Sequence, residues 1–163
     1  MRIIIFSDSH GGVCALRELV ASNKDADFFI HLGDCVSEAA VLRADFPDRR
    51  ILCVMGNCDL ACPPGTLSEN ILNHPDGRIF YTHGHRYGVK KDTGRLLARA
   101  KELGAKIACF GHTHAPLCET LGGVILFNPG STGSPRGGEA TYGLLDITNK
   151  GISARILPCR QKS

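Results

Sequence analysis

Asp8 and His10 stand two residues apart, and the same spacing recurs at His112 and His114. In a short extended segment that spacing turns both side chains to one side, so that a hard carboxylate oxygen and an imidazole nitrogen can reach the same ion. Asp34, Asn57 and His83 bring the set to two aspartates, one asparagine and four histidines. That is too many donors for one tetrahedral zinc, and it suits two divalent cations sharing a carboxylate. Mixed oxygen and nitrogen donors fit manganese, iron, zinc or nickel, with manganese the preferred expectation. Two such cations contribute about +4 and the two carboxylates remove about 2, which leaves a site that attracts hydroxide and a phosphate anion. With the ions roughly 3.5–4 Å apart, the chemistry would be in-line hydrolysis of a phosphate ester.

Each of these residues also has a plainer reading. Aspartates at positions such as 8 and 34 can cap helices, and a single histidine is usually a surface or satisfied core residue. We apply the plainer reading to His31 and His74 and the metal reading to the joint pattern, because several imidazoles buried beside carboxylates otherwise carry a desolvation cost.

The donors must be placed by the elements before them. Residues 2–7 read as a buried strand followed by the turn Asp8-Ser9-His10-Gly11-Gly12, and residues 13–20 have helical spacing of apolar side chains. Residues 27–32 repeat the strand, Gly33-Asp34 breaks it, and residues 37–44 read as a helix capped by Ser37. Residues 50–55 form a third buried strand ending at Gly56-Asn57. Strands alternating with helices imply a parallel sheet with right-handed crossovers. Residues 67–72 and 78–82 are expected to pair as a hairpin. Residues 92–103 form a helix stopped by Gly104, and residues 107–110 another buried strand. Beyond Leu117, four strand candidates separated by Gly122-Gly123, Gly137-Gly138 and Asn149-Lys150-Gly151 read as antiparallel β. Every strong polar cluster follows a strand, which allows convergence at one sheet edge, where α/β proteins bind ligands. The expected fold is α/β: two packed sheets with helices outside, one domain over residues 1–163.

The whole chain has 163 residues, 43% apolar and 21% charged, which excludes a disordered or fibrous protein. A formal charge of +3 is too slight for a nucleic-acid signature. The apolar run at residues 3–6 is too short for a membrane span or secretion signal, so the expectation is a cytoplasmic protein with no membrane partner. Eight cysteines are then read as reduced thiols. Cys58 and Cys62 precede Pro63-Pro64 rather than a redox helix, which argues against a redox pair. Arg86, Lys90 and Lys91 could guide a phosphate substrate, although charged runs near helix starts are usually solvated.

Taken together, Asp8-Ser9-His10, Gly33-Asp34, Gly56-Asn57, His83-Gly84-His85 and Gly111-His112-Thr113-His114 resemble the calcineurin-like metallophosphoesterases, and the small size resembles their YfcE/MJ0936-type phosphodiesterase subgroup. The resemblance implies a four-layer αββα sandwich. It implies that Asp8, His10 and His114 hold one cation, that Asp34 bridges, and that Asn57, His83 and His112 complete the second site. It further implies hydrolysis of phosphodiesters, with Asn57 and His112 orienting a phosphoryl oxygen and a small phosphoester as substrate. Asn128-Pro129-Gly130-Ser131 resembles the family's late loop beside the metals, where it would support ligands or face substrate. Many larger members carry histidine after Gly-Asn as general acid; here Cys58 stands there, so Cys58 or His85 would assist only weakly. A homo-oligomer is left open. The resemblance also extends to the Vps29 scaffold of retromer, which would make the chain a non-catalytic interaction module.

Overall fold

The structure, a computed structural model, describes residues 1–60, 62 and 65–159, so the Pro63-Pro64 step lies outside it. In chain order the elements are β1 (Arg2–Phe6), α1 (Val13–Ser22), β2 (Phe28–His31), α2 (Ser37–Asp45), β3 (Ile51–Cys53), β4 (Glu69–Leu72) and β5 (Ile79–Thr82). A 3-10 turn (His85–Tyr87), α3 (Gly94–Glu102), β6 (Ile107–Cys109), β7 (Leu117–Leu121), β8 (Val124–Asn128), β9 (Thr141–Thr148) and β10 (Gly151–Pro158) follow. They form two five-stranded sheets, ordered β10-β9-β1-β2-β3 and β4-β5-β6-β8-β7.

Apolar runs without polar alternation arise where both faces of a strand are covered, and β1 shows this residue by residue. Ile3 and Ile5 point between the sheets, where they meet Ile30, Leu32, Ile79, Tyr81, Ile107 and Phe127. Ile4 and Phe6 point the other way, against Leu16, Leu19 and Val20 of α1 and Leu42 of α2. The second sheet repeats the arrangement, with Phe80, Ala108 and Leu126 under Leu96 and Ala100 of α3. The result is the expected α/β sandwich: helix, sheet, sheet, helix.

β1, β2 and β3 run parallel, with Ile3 beside Phe28 and Phe29 beside Ile51, and so do β5, β6 and β8. The predicted β4–β5 hairpin is present, with Asn70 opposite Tyr81. Gly104, at φ +63, occupies the left-handed position after α3.

Two expectations need correction. The four C-terminal strands are antiparallel within each pair, as expected, but not throughout. They are two hairpins in different sheets, with β8 lying parallel to β6 and β9 antiparallel to β1. Turn residues specify a hairpin locally but not the sheet it joins. Nor does Ser37 cap α2, where no side-chain hydrogen bond closes the helix end. The amides of Asp34, Cys35 and Val36 donate instead to the Asp59 carboxylate, at 2.9, 2.8 and 2.7 Å. A full negative charge at a helix start satisfies these otherwise unpaired donors better than a hydroxyl does.

Candidate metal centre

The parallel strands end at one rim of the sandwich, and each hands over a polar side chain there. Asp8 and His10 follow β1, Asp34 follows β2, Asn57 follows β3, His83 follows β5, and His112 and His114 follow β6. One ligand atom from each of Asp8, His10, Asp34 and His114 lies within 4.8 Å of the others. Asp8 Oδ1 is 3.2 Å from His114 Nε2, and His10 Nε2 is 3.4 Å from His114 Nε2. Beside this group His83 Nε2 stands 3.5 Å from Asp34 Oδ2, 3.2 Å from Asn57 Oδ1 and 3.2 Å from His112 Nδ1. The same nitrogen is 4.0 Å from Asp8 Oδ1, so the two groups are continuous.

The turns that gather these atoms are strained. Among the described residues, the non-glycine residues with positive φ are Asp8, His10, Asp34, Cys35, His112 and His114. All but Cys35 are expected donors. Aspartate and histidine tolerate the left-handed region better than most residues, and strain of this kind persists only where surrounding contacts enforce it. The turns also pass very close together. A Cβ on Gly111 would lie 2.0 Å from Ser7 Oγ, and one on Gly56 would lie 2.1 Å from Asp34 Oδ1.

The protonation pattern leaves lone pairs facing inward. His83 donates from Nδ1 to the Leu32 carbonyl at 2.9 Å, and His114 from Nδ1 to the Ser134 carbonyl at 2.6 Å. A ring whose Nδ1–H is bound to a carbonyl presents an unprotonated Nε2. Asp8 accepts the His112 amide through Oδ2 at 3.0 Å. Its Oδ1 is buried and has no hydrogen-bond partner. An orphaned carboxylate oxygen among inward-facing nitrogen lone pairs is costly unless a cation joins them. The donor set therefore fits divalent metal.

Electrostatics agree with that reading. For Asp34, burial favours the neutral acid, but the Cys58 amide (2.9 Å from Oδ1) and the His83 ring outweigh it and hold the carboxyl below its ordinary value. Burial, with help from His83 and Lys90, presses the His112 imidazole down to about 4. Burial and then Asp34 push the Cys58 thiol up to about 11, so it keeps its proton and gives it up reluctantly. His85 lies with its ring 5.4 Å from that of His83 and 6.1 Å from that of His112. Its pKa is lowered by burial, then by His83 and Arg86.

His74 sits in the β4–β5 turn with Asp76 at 3.5 Å, away from the rim. His31 is fully buried and accepts the Gly33 amide at Nδ1. Its Nε2 lies 3.1 Å from Ser9 Oγ, and Ser9 also hydrogen-bonds Glu38. His31 thus steadies the Asp8 and Asp34 turns from behind. The 128–131 segment is buried and braces the backbone of the turns that carry the expected donors. Asn128 donates to the Gly111 carbonyl at 2.9 Å, and Ser131 to the Asp8 carbonyl at 2.7 Å. Residue patterns gave no sign of Asp59, which also accepts the Gly56 amide at 2.7 Å and so ties the Asp34 turn to the Asn57 turn.

The helix-flanked double sheet gathers carboxylates and imidazoles at its strand ends, an arrangement that fits divalent metal. The chain belongs to the calcineurin-like phosphoesterase superfamily, whose domain profile matches residues 1–150. It is similar to the probable metallophosphoesterase YsnB of Bacillus subtilis, with 35% identity over 96% of this chain and 90% of that one. It is also similar to the phosphodiesterase YfcE of Escherichia coli, with 27% identity over 90% of this chain and 88% of that one. Among solved structures, a predicted phosphoesterase from Streptococcus pneumoniae superposes with a TM-score of 0.80 at 29% identity, covering 97% of this chain and 89% of the other. Vps29 of Entamoeba histolytica, solved with zinc, superposes with a TM-score of 0.72 at 19% identity over 98% and 100% of the two chains, a likeness of fold alone. No helix among the described residues is long and apolar enough to cross a membrane.

Proposed function

We propose that the protein is a phosphodiesterase using two divalent cations, manganese being the preferred pair. Asp8, His10, Asp34 and His114 would hold one, and Asp34, Asn57, His83 and His112 the other. The observation that carries this reading is the buried, unpartnered Asp8 Oδ1 amid imidazole nitrogens whose opposite faces donate to backbone carbonyls. When bound, the cations supply Lewis acidity toward the phosphoryl oxygens and a nucleophile drawn from water.

The chain's own groups do the positioning. Asp34 stays ionised, and His83 and His114 are held in one tautomer by their carbonyl partners. Asn57 donates through Nδ2 to Cys58 Sγ at 3.2 Å, which fixes its amide with Oδ1 toward His83. His112 turns Nδ1 toward His83 and keeps Nε2 for a phosphoryl oxygen. No strong acid stands by for the departing alcohol, because Cys58 holds its proton too tightly at about 11. His85 assists weakly at most. The enzyme therefore favours esters with good leaving groups, and its rate should fall steeply as the alcohol becomes more basic. Equal turnover of activated and alkyl diesters, normalised for intrinsic reactivity, would contradict this.

Protein loaded with manganese should cleave bis(4-nitrophenyl) phosphate, and Asp34→Asn or His112→Ala should each lose most turnover. Undiminished activity in both variants refutes the assignment. A purely scaffolding role in the manner of Vps29 is disfavoured because all seven donor positions carry competent side chains.

A further inference from the structure

Behind the rim, polar side chains are buried together: Ser9 and His31 fully, and Glu38, in the first turn of α2, nearly so. Their hydrogen bonds run in one direction. The Gly33 amide donates to His31 Nδ1 at 3.0 Å, so that nitrogen carries no proton and the neutral ring holds its proton on Nε2. Nε2 lies 3.1 Å from Ser9 Oγ and donates to it, and the Ser9 hydroxyl in turn donates to Glu38 Oε2. Gly33, His31 and Ser9 thus form a chain of donors that ends on Glu38. Bonds aligned head to tail strengthen one another. The start of a helix favours an acidic side chain, and the other carboxylate oxygen, Oε1, is buried with no hydrogen-bond partner among the described residues.

A serine beside a histidine and a carboxylate invites comparison with a nucleophile, but the order is wrong for one. The Ser9 proton goes to the carboxylate, the imidazole turns an N–H rather than a lone pair toward the hydroxyl, and Ser9 is closed to solvent. The backbone at the two ends of the chain of donors shows its use. Ser9 stands between Asp8 and His10, at φ +53 and +44, and Gly33 at φ +101 precedes Asp34 at φ +57. Left-handed backbone at such residues persists only where other contacts enforce it. Ser9 pins the middle of the first strained turn, and His31 pins the amide that opens the second. The turns also meet directly, the Asp8 amide donating to the Gly33 carbonyl at 3.2 Å. One carboxylate on α2 therefore holds the turn that carries Asp8 and His10 against the turn that carries Asp34. Because Asp34 is the donor expected to serve both cations, a change in the spacing of these turns is felt at both positions.

Resting on the two-cation reading above, we propose that Glu38 is a positioning residue for the cation centre: through Ser9 and His31 it sets the spacing of the Asp8–His10 turn and the Gly33–Asp34 turn, and with it the binding of the cation pair. Ser9→Ala and Glu38→Ala cut the chain of donors at different links. Each should lower manganese affinity, measured by calorimetry, by about tenfold, the usual cost of losing a partner that orients a ligand. Glu38→Gln, whose amide oxygen still accepts the Ser9 hydroxyl, should recover most of that loss, while Glu38→Asp, one methylene too short, should not; if the alanine variants do not fold, this pair carries the same test. Leu42→Ala, which removes a fully buried side chain from the same helix, serves as the control for stability alone. It should lower the melting temperature and leave manganese affinity unchanged. Paramagnetic resonance of manganese-loaded protein separates the two causes further: the exchange-coupled signal of a pair should weaken toward that of isolated ions when the chain of donors is cut, and persist in Leu42→Ala. In the cation-free protein, hydrogen exchange at the Asp8 and Gly33 amides should quicken relative to the β1 amides only in the cut variants. Affinity losses that follow stability, with Leu42→Ala and Glu38→Gln as impaired as Ser9→Ala, overturn the proposal, and so does unchanged affinity with unchanged exchange in the cut variants. If the parent shows no paired signal, yet those two amides lose protection only in the cut variants, the hold of Glu38 on the turns stands and the two-cation reading falls.

Discussion

Between the sheets, Ile5, Ile30, Tyr81, Ile107 and Phe127 pack as strand residues against one another. A few positions further along, the same strands give way to Asp8, Asp34 and His112, which sit at positive φ and surround an unsatisfied carboxylate oxygen. The interior supplies stability and tolerates no voids. The rim consumes some of that stability to hold donors where they would not rest unaided. Substitutions in the two regions should therefore fail in different ways, the interior in folding and the rim in cation binding.

The largest effect belongs to the interior. Phe127 is fully buried and touches both the central cluster and Gly143, whose Cβ, if added, would lie 2.4 Å from Phe127 Cε1. Phe127→Ala should cost about 3–5 kcal/mol, read as a lower denaturant midpoint in the cation-free protein. A loss below about 1 kcal/mol would mean that the inter-sheet packing is not what holds the rim together. Asp59 tests the join between the regions, since its carboxylate accepts the amides of Asp34, Cys35, Val36 and Gly56. Asp59→Ala leaves those donors without their charged acceptor and should cost about 2–3 kcal/mol, with weaker manganese binding by calorimetry. Destabilisation with unchanged cation affinity would show that Asp59 serves the fold alone.

At the rim the expected signature reverses. His10 is exposed, at φ +44, and among the described residues its side chain has one hydrogen-bonding neighbour, His114 Nε2. Asparagine occupies the left-handed region at least as readily, so His10→Asn should leave stability within about 0.5 kcal/mol of the parent. Manganese affinity should nevertheless fall by more than about tenfold, since even partners of a ligand are worth that much. Loss of stability without loss of affinity would break the contrast between the two regions.

The contrast also explains what the amino-acid sequence disclosed. The four-residue run Ile3-Ile4-Ile5-Phe6 announces a strand covered on both faces, and polar residues after strands announce the rim; both are properties of residue type and spacing. Asp59 was silent because its partners are backbone amides, which every residue has. Ser37 misled because a hydroxyl before a helix is a good local cap, and a carboxylate arriving from another strand's loop outcompetes it. The placement of β8 beside β6 depends on which apolar face fills which gap, a tertiary question that turn residues do not answer. His31 reads as a surface or satisfied core histidine, and it is the latter, but its use in bracing the Asp8 turn depends on Ser9 and Glu38 meeting it in space.

The smallest predicted effect comes from protons at the rim. His112 has an ordinary unfolded value near 6.5 and is depressed to about 4 in the folded chain by burial, His83 and Lys90. Above about 6.5 neither state is protonated and His112 contributes no pH dependence. As pH falls from there toward about 4 the unfolded chain takes up a proton that the folded chain refuses, so stability of the cation-free protein declines across that window. His112 is partly solvent-accessible, which keeps the decline modest. Melting temperatures measured from pH 7 to 4 should therefore slope downward in the parent and more gently in His112→Gln, after subtraction of the common acid effect. Parallel curves would mean that His112 titrates as an ordinary surface imidazole. Manganese should steepen the parent's slope, because a histidine that must stay neutral to bind a cation loses it to protons as the medium acidifies. Fully buried Cys109, whose thiol is pushed far up by burial and then by Cys118, has no counterpart effect between pH 7 and 4. The interior remains indifferent to pH where the rim is not.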